Sequence, residues 1–346
     1  MYKLLNYSVY LVFRLFMALG MVLPMGPTFA FLRVMAHAAW HFLGPLRKLA
    51  LRNLEIAFGK EKSPAERKRI AREALVNLFY SAGEFLFMSR LAKNWKEHFT
   101  FEGDDVIEDN IIHKRPFFCF GGHLGGWTNL MMMTERFKRH SIRGAAVMRP
   151  QRNPYIDRYL RELPLKYKNG SMFISPRGTG KVIEKFIMEG GVVGFYMDQE
   201  SRRKQGIQVD FFGLPAYSHV VPGYLAWKHR LPMYPSWFIR KKPGHNHLVF
   251  RKPLEFVYTG DKEADIREVT QRIVKECEDT IRQYPEQWLW FHNRWKRTLG
   301  EDQPKKDRKK KIKSGQYLTS SQLLKMMDEE IGGSALSSPQ GEKKDE

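Results

Sequence analysis

The sequence has very little cysteine. Among 346 residues only Cys119 and Cys277 occur, and they do not form a CxxC pair. A disulfide-stabilised scaffold and a cysteine-rich zinc site are therefore excluded. His37, His41 and His113 are too dispersed to indicate another metal site, so we predict neither a metal nor a cofactor.

Acidic residues are also scarce. There are 37 Asp and Glu against 58 Lys and Arg, which gives a net charge of +21. Residues 301–346 contain 10 basic and 9 acidic residues, so the first 300 residues carry +20 of that charge. Such a chain favours an anionic partner: nucleic acid, an anionic membrane surface or an acidic protein. Nucleic acid is disfavoured, because the basic residues scatter through amphipathic segments instead of interleaving with exposed aromatic residues.

No internal repeat is found, and no linker-like break interrupts residues 60–300. Apolar residues make up 43% of the chain and aromatic residues 13%, which excludes global disorder. We predict a membrane anchor with interfacial helices in residues 1–58 and one catalytic-type domain in residues 59–300. Residues 301–346 are polar, so we predict a mostly disordered tail with one short helix at 320–327.

The N-terminal segment is almost wholly apolar. Leu4 to Leu23 contains one charged residue, Arg14, and is long enough to cross a bilayer. After two prolines, apolar sequence resumes from Thr28 to Leu46. Three basic residues follow, namely Arg47, Lys48 and Arg52. These favour a cytoplasmic position for the rest of the chain. We predict an inner-membrane anchor or deep monotopic attachment; a cleaved signal and plain core helices are the alternatives.

Helical and strand patterns alternate after residue 60. Ser63 and Glu66 form a capping-box pattern that predicts a helix running to about Leu91. Further helices are predicted at 127–137, 153–163, 180–188, 222–230 and 266–281. Strands are predicted at 116–120, 145–148, 172–174, 191–197, 233–239, 248–250 and 254–257. This alternation is typical of an α/β fold with a central mixed sheet flanked by helices.

The segment most suggestive of chemistry is Gly121-Gly122-His123-Leu124-Gly125-Gly126-Trp127-Thr128-Asn129. It follows a predicted buried strand, so the flanking glycines leave His123 where a substrate can approach. A neutral histidine there is able to take a proton from a hydroxyl group. A lone histidine is more often structural, so the assignment depends on the rest of the chain.

Four other segments stand in a specific order after this histidine. They are Met148–Pro154 (MRPQRNP), Gly194–Gln199 (GFYMDQ), Val209–Pro215 (VDFFGLP) and Tyr284–Lys296 (YPEQWLWFHNRWK). Together with His123 and the N-terminal anchor, this set resembles the late acyltransferases of lipid A biosynthesis, over roughly residues 1–298. Each motif alone is weak, but the ordered set is specific.

The resemblance implies an acyltransferase-like fold and a membrane-bound enzyme of the bacterial inner membrane. Such an enzyme moves a fatty acyl group from a thioester, on acyl carrier protein or coenzyme A, to a hydroxyl of an anionic glycolipid. By the same resemblance, His123 is the general base and Arg149 recognises phosphate or stabilises an oxyanion. Asp198 and Gln199 match the family's Asp-Gln pair and line the same cleft.

One position departs from the family pattern. Five residues after the histidine the family has Glu or Asp, whereas this chain has Thr128. A threonine can accept the ring N–H but brings no charge. Asp198 from a neighbouring strand end, or a phosphate of the acceptor, is the alternative source of charge; Glu135 lies too far along the chain. A catalytically impaired or non-catalytic lipid-binding homologue, and an acyltransferase for another lipid, therefore stay open.

Overall fold

The computed structural model describes residues 2–130, 143–163, 171–175 and 179–302. Glu135 and the predicted tail from residue 303 onward, with its helix at 320–327, lie outside the described residues. Eleven helices are described, and they are α1 (Tyr2–Val22), α2 (Met25–Phe42), α3 (Gly44–Phe58), α4 (Pro64–Leu86), α5 (Met88–Lys93), α6 (Trp95–His98), α7 (Asp104–Ile112), α8 (Pro154–Glu162), α9 (Thr179–Met188), α10 (Val220–His229) and α11 (Lys262–Gln283).

Nine strands complete the described secondary structure. They are β1 (Phe99–Glu102), β2 (Phe118–Gly121), β3 (Gly144–Val147), β4 (Met172–Ile174), β5 (Val192–Tyr196), β6 (Gly206–Phe211), β7 (Leu214–His219), β8 (Met233–Lys242) and β9 (His245–Phe250). Short 3₁₀ turns lie at Trp127–Leu130, Arg203–Gln205 and Pro285–Gln287.

The predicted central mixed sheet is confirmed. Seven strands pair in the order β1-β9-β8-β2-β5-β3-β4. β8 and β9 form the antiparallel pair, and the other neighbours are parallel. All four residues of β2 are buried, and so are seven of the ten residues of β8, as expected of strands covered on both faces. The sheet therefore brings the carboxyl ends of its parallel strands to one edge.

One strand prediction was wrong, and one hairpin was not predicted. Residues 254–257 are not a strand, although their sequence alternates. Residues 206–219 instead form a separate antiparallel hairpin, β6-β7, whose turn places Phe212 and Gly213 at positive φ. A two-residue turn with both residues at positive φ matches the twist of a hairpin, which explains this sequence.

Helix α4 begins as predicted but ends earlier. Ser63 and Glu66 form both hydrogen bonds of the capping box. The helix stops at Leu86 because Phe87, which is fully buried, takes a non-helical conformation, and α5 then continues to Lys93. Ser81 and Glu84 of α4 form hydrogen bonds with Gly125 and Asn129 in the segment that follows β2.

The tryptophan-rich segment near residue 290 belongs to the protein core. Trp288, Trp290 and Trp295 are each at most 1% exposed. Trp288 and Trp290 meet edge to face with ring centroids 4.5 Å apart. Of the two alternatives, core packing and membrane-interface anchoring, the structure shows core packing.

Candidate active site

His123 stands in the loop directly after β2, with its side chain 15% exposed. Its Nδ1 lies 2.9 Å from Oδ1 of Asp198, and its backbone N–H donates to Oδ2 of the same carboxylate at 2.8 Å. The contact arises because β2 and β5 are parallel neighbours, with Gly121 opposite Tyr196. Each residue lies two positions beyond its strand, at the same edge of the sheet.

The carboxylate of Asp198 is buried and held by three donors. Besides the two groups of His123, Nε1 of Trp288 donates to Oδ2 at 2.7 Å. Burial by itself raises the pKa of Asp198, but the charge of His123 and these hydrogen bonds outweigh burial and lower it to about 2. Asp198 is therefore ionised at neutral pH, and it accepts the proton on Nδ1 of His123. That leaves Nε2 as the basic nitrogen of the ring.

Glycines permit this close approach. A Cβ atom on Gly122 would stand 2.9 Å from Cγ of Asp198, which no ordinary side chain tolerates. Gly125 has φ +56°, and a Cβ atom there would meet the carbonyl oxygen of Phe238 at 2.1 Å. The two glycines therefore let the loop fold tightly between the carboxylate and β8.

Three further side chains surround the imidazole. Nε2 of Gln199 lies 3.2 Å from Nε2 of His123, so the amide donates to the basic nitrogen. The rings of Trp127 and Tyr196 both pack on it, with centroids 4.7 and 4.8 Å from that of His123 and 6.2 Å from each other. The hydroxyl of Tyr196 donates to the backbone carbonyl of Trp127 at 2.6 Å and fixes this wall. Asp198 and the two aromatic rings thus hold the imidazole in place. The amide of Gln199 lies at its basic nitrogen.

Two further histidines, His219 and His292, lie near the positive charges of Arg149 and Arg294. Burial, and then the charges of Arg149 and Arg294, lower the pKa of His219 to about 4. Burial is also the main cause that lowers the pKa of His292 to about 4. Both histidines are therefore neutral at pH 7, and Nε2 of His292 accepts the backbone N–H of Glu200 at 3.0 Å. Arg149 is exposed.

Comparison with known proteins identifies the family. The sequence model described as "Bacterial lipid A biosynthesis acyltransferase" matches residues 2–297. The chain belongs to this family. It is also 25% identical over 264 residues to the "Lipid A biosynthesis lauroyltransferase" of Escherichia coli (strain K12), across 75% of this chain and 81% of that protein.

In this member of the lipid A acyltransferase family, the carboxylate beside His123 is not at position 128. The hydroxyl of Thr128 donates to the backbone carbonyl of Ser81 on α4 at 3.3 Å. Both ring nitrogens of His123 have other partners, Asp198 and Gln199. The expectation that Thr128 holds the ring is therefore corrected, because its hydroxyl is turned toward α4.

A buried ion pair supports the His123 loop, and sequence reasoning missed it. Glu84 of α4 and Arg240 of β8 are 0% and 3% exposed and lie 2.8 Å apart. Nη2 of Arg240 also donates to the carbonyl of Gly125 at 2.8 Å, and Asn129 donates to Glu84 at 2.9 Å. The pair thus fixes the loop on both sides of Thr128. The sequence did carry a signal for this pair. Glu84 is a charged residue within the apolar face of α4, and Arg240 is a charged residue within β8.

No group of three or more His, Cys, Asp or Glu side chains that could hold a metal ion occurs in the part of the chain that the structure describes. A cavity of about 520 Å³ lies near Lys114, Arg143 and Leu231. These residues precede strands β2, β3 and β8, so the cavity is at the opposite edge of the sheet from His123 and is not part of this site.

Proposed function

We propose that this protein is a membrane-bound enzyme that transfers a fatty acyl chain from a thioester to a hydroxyl of a lipid A precursor. The observation that carries the proposal is the pairing of His123 with the buried, ionised carboxylate of Asp198. This pairing would keep the ring proton on Nδ1 and leave Nε2 able to take a proton, as a general base requires.

The reaction follows from that geometry. Nε2 of His123 takes the proton of the acceptor hydroxyl, whose oxygen then attacks the thioester carbon. The resulting tetrahedral oxyanion collapses as the carbon–sulfur bond breaks. The imidazolium returns its proton to the departing thiolate, so the products are an ester and a free thiol. The negative charge of Asp198 stabilises the imidazolium while it exists.

Gln199 and Arg149 are proposed to bind substrate. The amide of Gln199 stands 3.2 Å from Nε2 of His123, where the acceptor hydroxyl would bind, so it would be displaced toward the reacting carbonyl. There an N–H donor stabilises the oxyanion. Arg149 is exposed, its charge acts on the nearby His292, and its guanidinium suits a phosphate group of the acceptor.

The partners follow from charge and family. The strongly basic chain suits both an anionic phosphorylated glycolipid and the acidic acyl carrier protein, with coenzyme A as the alternative carrier. The E. coli relative is named a lauroyltransferase, which supports a fatty acyl chain as the transferred group. The proposed location is the bacterial inner membrane, with the catalytic domain facing the cytoplasm.

The alternative of a non-catalytic lipid-binding homologue was motivated by Thr128. It would require His123 to lack a charged partner. Asp198 supplies a carboxylate at 2.9 Å, which supports the catalytic role instead. The other alternative, an acyltransferase for a different lipid, is tested by offering different acceptor lipids in the same assay.

The test is transfer of a labelled acyl chain from acyl carrier protein or coenzyme A to a phosphorylated disaccharide lipid. His123→Ala should abolish transfer. Because the change also removes a partner of the buried Asp198 carboxylate, thermal unfolding is measured to verify that the variant is folded. The matched control is His113→Ala, whose side chain is 62% exposed at the end of α7, and it should leave the rate unchanged. Unaltered transfer by His123→Ala would show that another group is the base.

A further inference from the structure

One helix among the described residues, α1, is long and apolar enough to cross a membrane. Its outward side chains are large and apolar and include Leu4, Val12 and Val22, which are 73%, 68% and 76% exposed. The same kind of surface continues onto α2, where Val34 is 65% and Phe42 84% exposed. A continuous row of exposed apolar side chains of this kind marks an interaction surface, and the acyl region of a bilayer suits it.

The opposite side of α1 is attached to the catalytic domain near its N-terminal end. Asn153 donates to the carbonyl of Asn6 at 2.7 Å. The rings of Tyr7 and Tyr10 pack on Tyr155 at the start of α8, with centroids 5.4 and 5.9 Å away. The first turns of the helix therefore lie against the folded domain.

The attachment continues to the other end of α1. In the middle, Phe13 packs on Tyr159 with centroids 5.4 Å apart. Near the end, a Cβ atom on Gly20 would stand 2.1 Å from the carbonyl oxygen of Leu86, so the helix lies directly on α4. From residue 6 to residue 20 the helix advances about 21 Å, most of the thickness of a bilayer's hydrocarbon core.

This length of contact conflicts with a spanning orientation. If α1 crossed the bilayer, its middle and the neighbouring part of α8 would lie near the centre of the hydrocarbon. Next to Tyr159, however, Arg158 is 81% exposed, and its ion-pair partner Glu162 is 49% exposed. Exposed charged groups are strongly disfavoured at that depth. They are well placed at the headgroup level, which requires α1 to lie along the membrane surface.

We infer that α1 and α2 insert their exposed apolar side chains into one leaflet only, with α1 in the plane of the membrane and both of its ends on the side of the catalytic domain. The inference rests on the proposed membrane-bound function and refines it. Arg14 fits this arrangement, because its guanidinium donates to Tyr10 at 3.0 Å and lies over the ring of Tyr159. At the membrane surface that charge stays near headgroups and water.

The experiment uses the full chain with single introduced cysteines, since Cys119 and Cys277 are both buried. Lys3→Cys marks the N-terminal end of α1, and Glu108→Cys on α7 marks the catalytic domain. A membrane-impermeant maleimide is applied to intact spheroplasts and to inverted inner-membrane vesicles of expressing cells. We expect both positions to be labelled from the same side. Labelling of the two from opposite sides would overturn the inference in favour of a spanning helix.

A second measurement gives the depth of the helix. A fluorophore is attached in turn to Leu4→Cys, Val12→Cys and Val22→Cys, and is quenched by brominated phosphatidylglycerol–phosphatidylethanolamine vesicles. An in-plane helix gives equal, shallow depths at all three positions, whereas a spanning helix makes the middle position the deepest. Absence of quenching at every position would also overturn the inference. Neither readout depends on acyl transfer, so failure here is distinguishable from failure of the proposed catalysis.

Discussion

Replacing Asp198 by asparagine removes one negative charge from the candidate site with hardly any change in side-chain shape. Oδ2 of Asp198 accepts two donors, the backbone N–H of His123 and Nε1 of Trp288, at 2.8 and 2.7 Å. The single oxygen of asparagine is therefore held at that position. Its NH₂ group then faces Nδ1 of His123, which must become an acceptor, so the ring proton moves to Nε2. Nε2, the nitrogen beside the Gln199 amide, is then no longer basic.

The expected loss follows from this change of tautomer. In serine proteases, the same exchange of the aspartate that orients the catalytic histidine lowers turnover about 10⁴-fold. We expect kcat of Asp198→Asn to fall about 10³- to 10⁴-fold, or about 4 to 5 kcal/mol in the activation barrier. The assay is transfer of labelled acyl chain at saturating acceptor, with thermal unfolding in detergent to verify folding.

The matched control for this variant is Thr128→Val. Among the described residues the hydroxyl that it removes bonds to the carbonyl of Ser81 and not to His123, so kcat should change less than about threefold. A folded Asp198→Asn protein with kcat within about tenfold of wild type would refute the reasoning. A large loss of kcat in Thr128→Val, with no such loss in Asp198→Asn, would indicate that residue 128 and not Asp198 positions His123.

Three further outcomes are expected. Glu84→Gln deprives the buried Arg240 of its counter-ion and should lower the free energy of unfolding in urea by about 3 kcal/mol or more, partly restored by adding Arg240→Met. Burial holds His219 and His292 neutral with pKa values near 4, while the unfolded chain takes up these protons below pH 6.5. Stability should therefore fall as pH drops from 6.5 to 4, by about 3 kcal/mol per histidine, and His292→Gln should flatten that titration. Arg149→Ala should raise KM for the phosphorylated acceptor in steady-state kinetics without altering thermal stability, because its side chain is exposed; an unchanged KM would exclude phosphate binding there.

Local signals in the sequence predicted most elements of the fold. The capping box at Ser63 placed the start of α4, and the pattern at 172–174 matched β4. These signals work because capping and burial periodicity act over a few residues. The β6-β7 hairpin was missed because its turn uses Phe212 at positive φ, where a bulky residue is uncommon.

The tertiary structure decided the partner of the candidate base. The sequence by itself determined that His123 follows a buried strand, that a carboxylate is absent five residues later, and that Asp198 follows another strand. It did not determine that these two strands are neighbours, because strand order depends on how the whole sheet packs. The parallel pairing of β2 with β5 brings residues 75 positions apart within 2.9 Å. Likewise, hydropathy showed that α1 is apolar enough for a bilayer. Only its contacts with α4 and α8 showed that one of its faces packs on the domain, because such packing depends on the shape and chemistry of both surfaces.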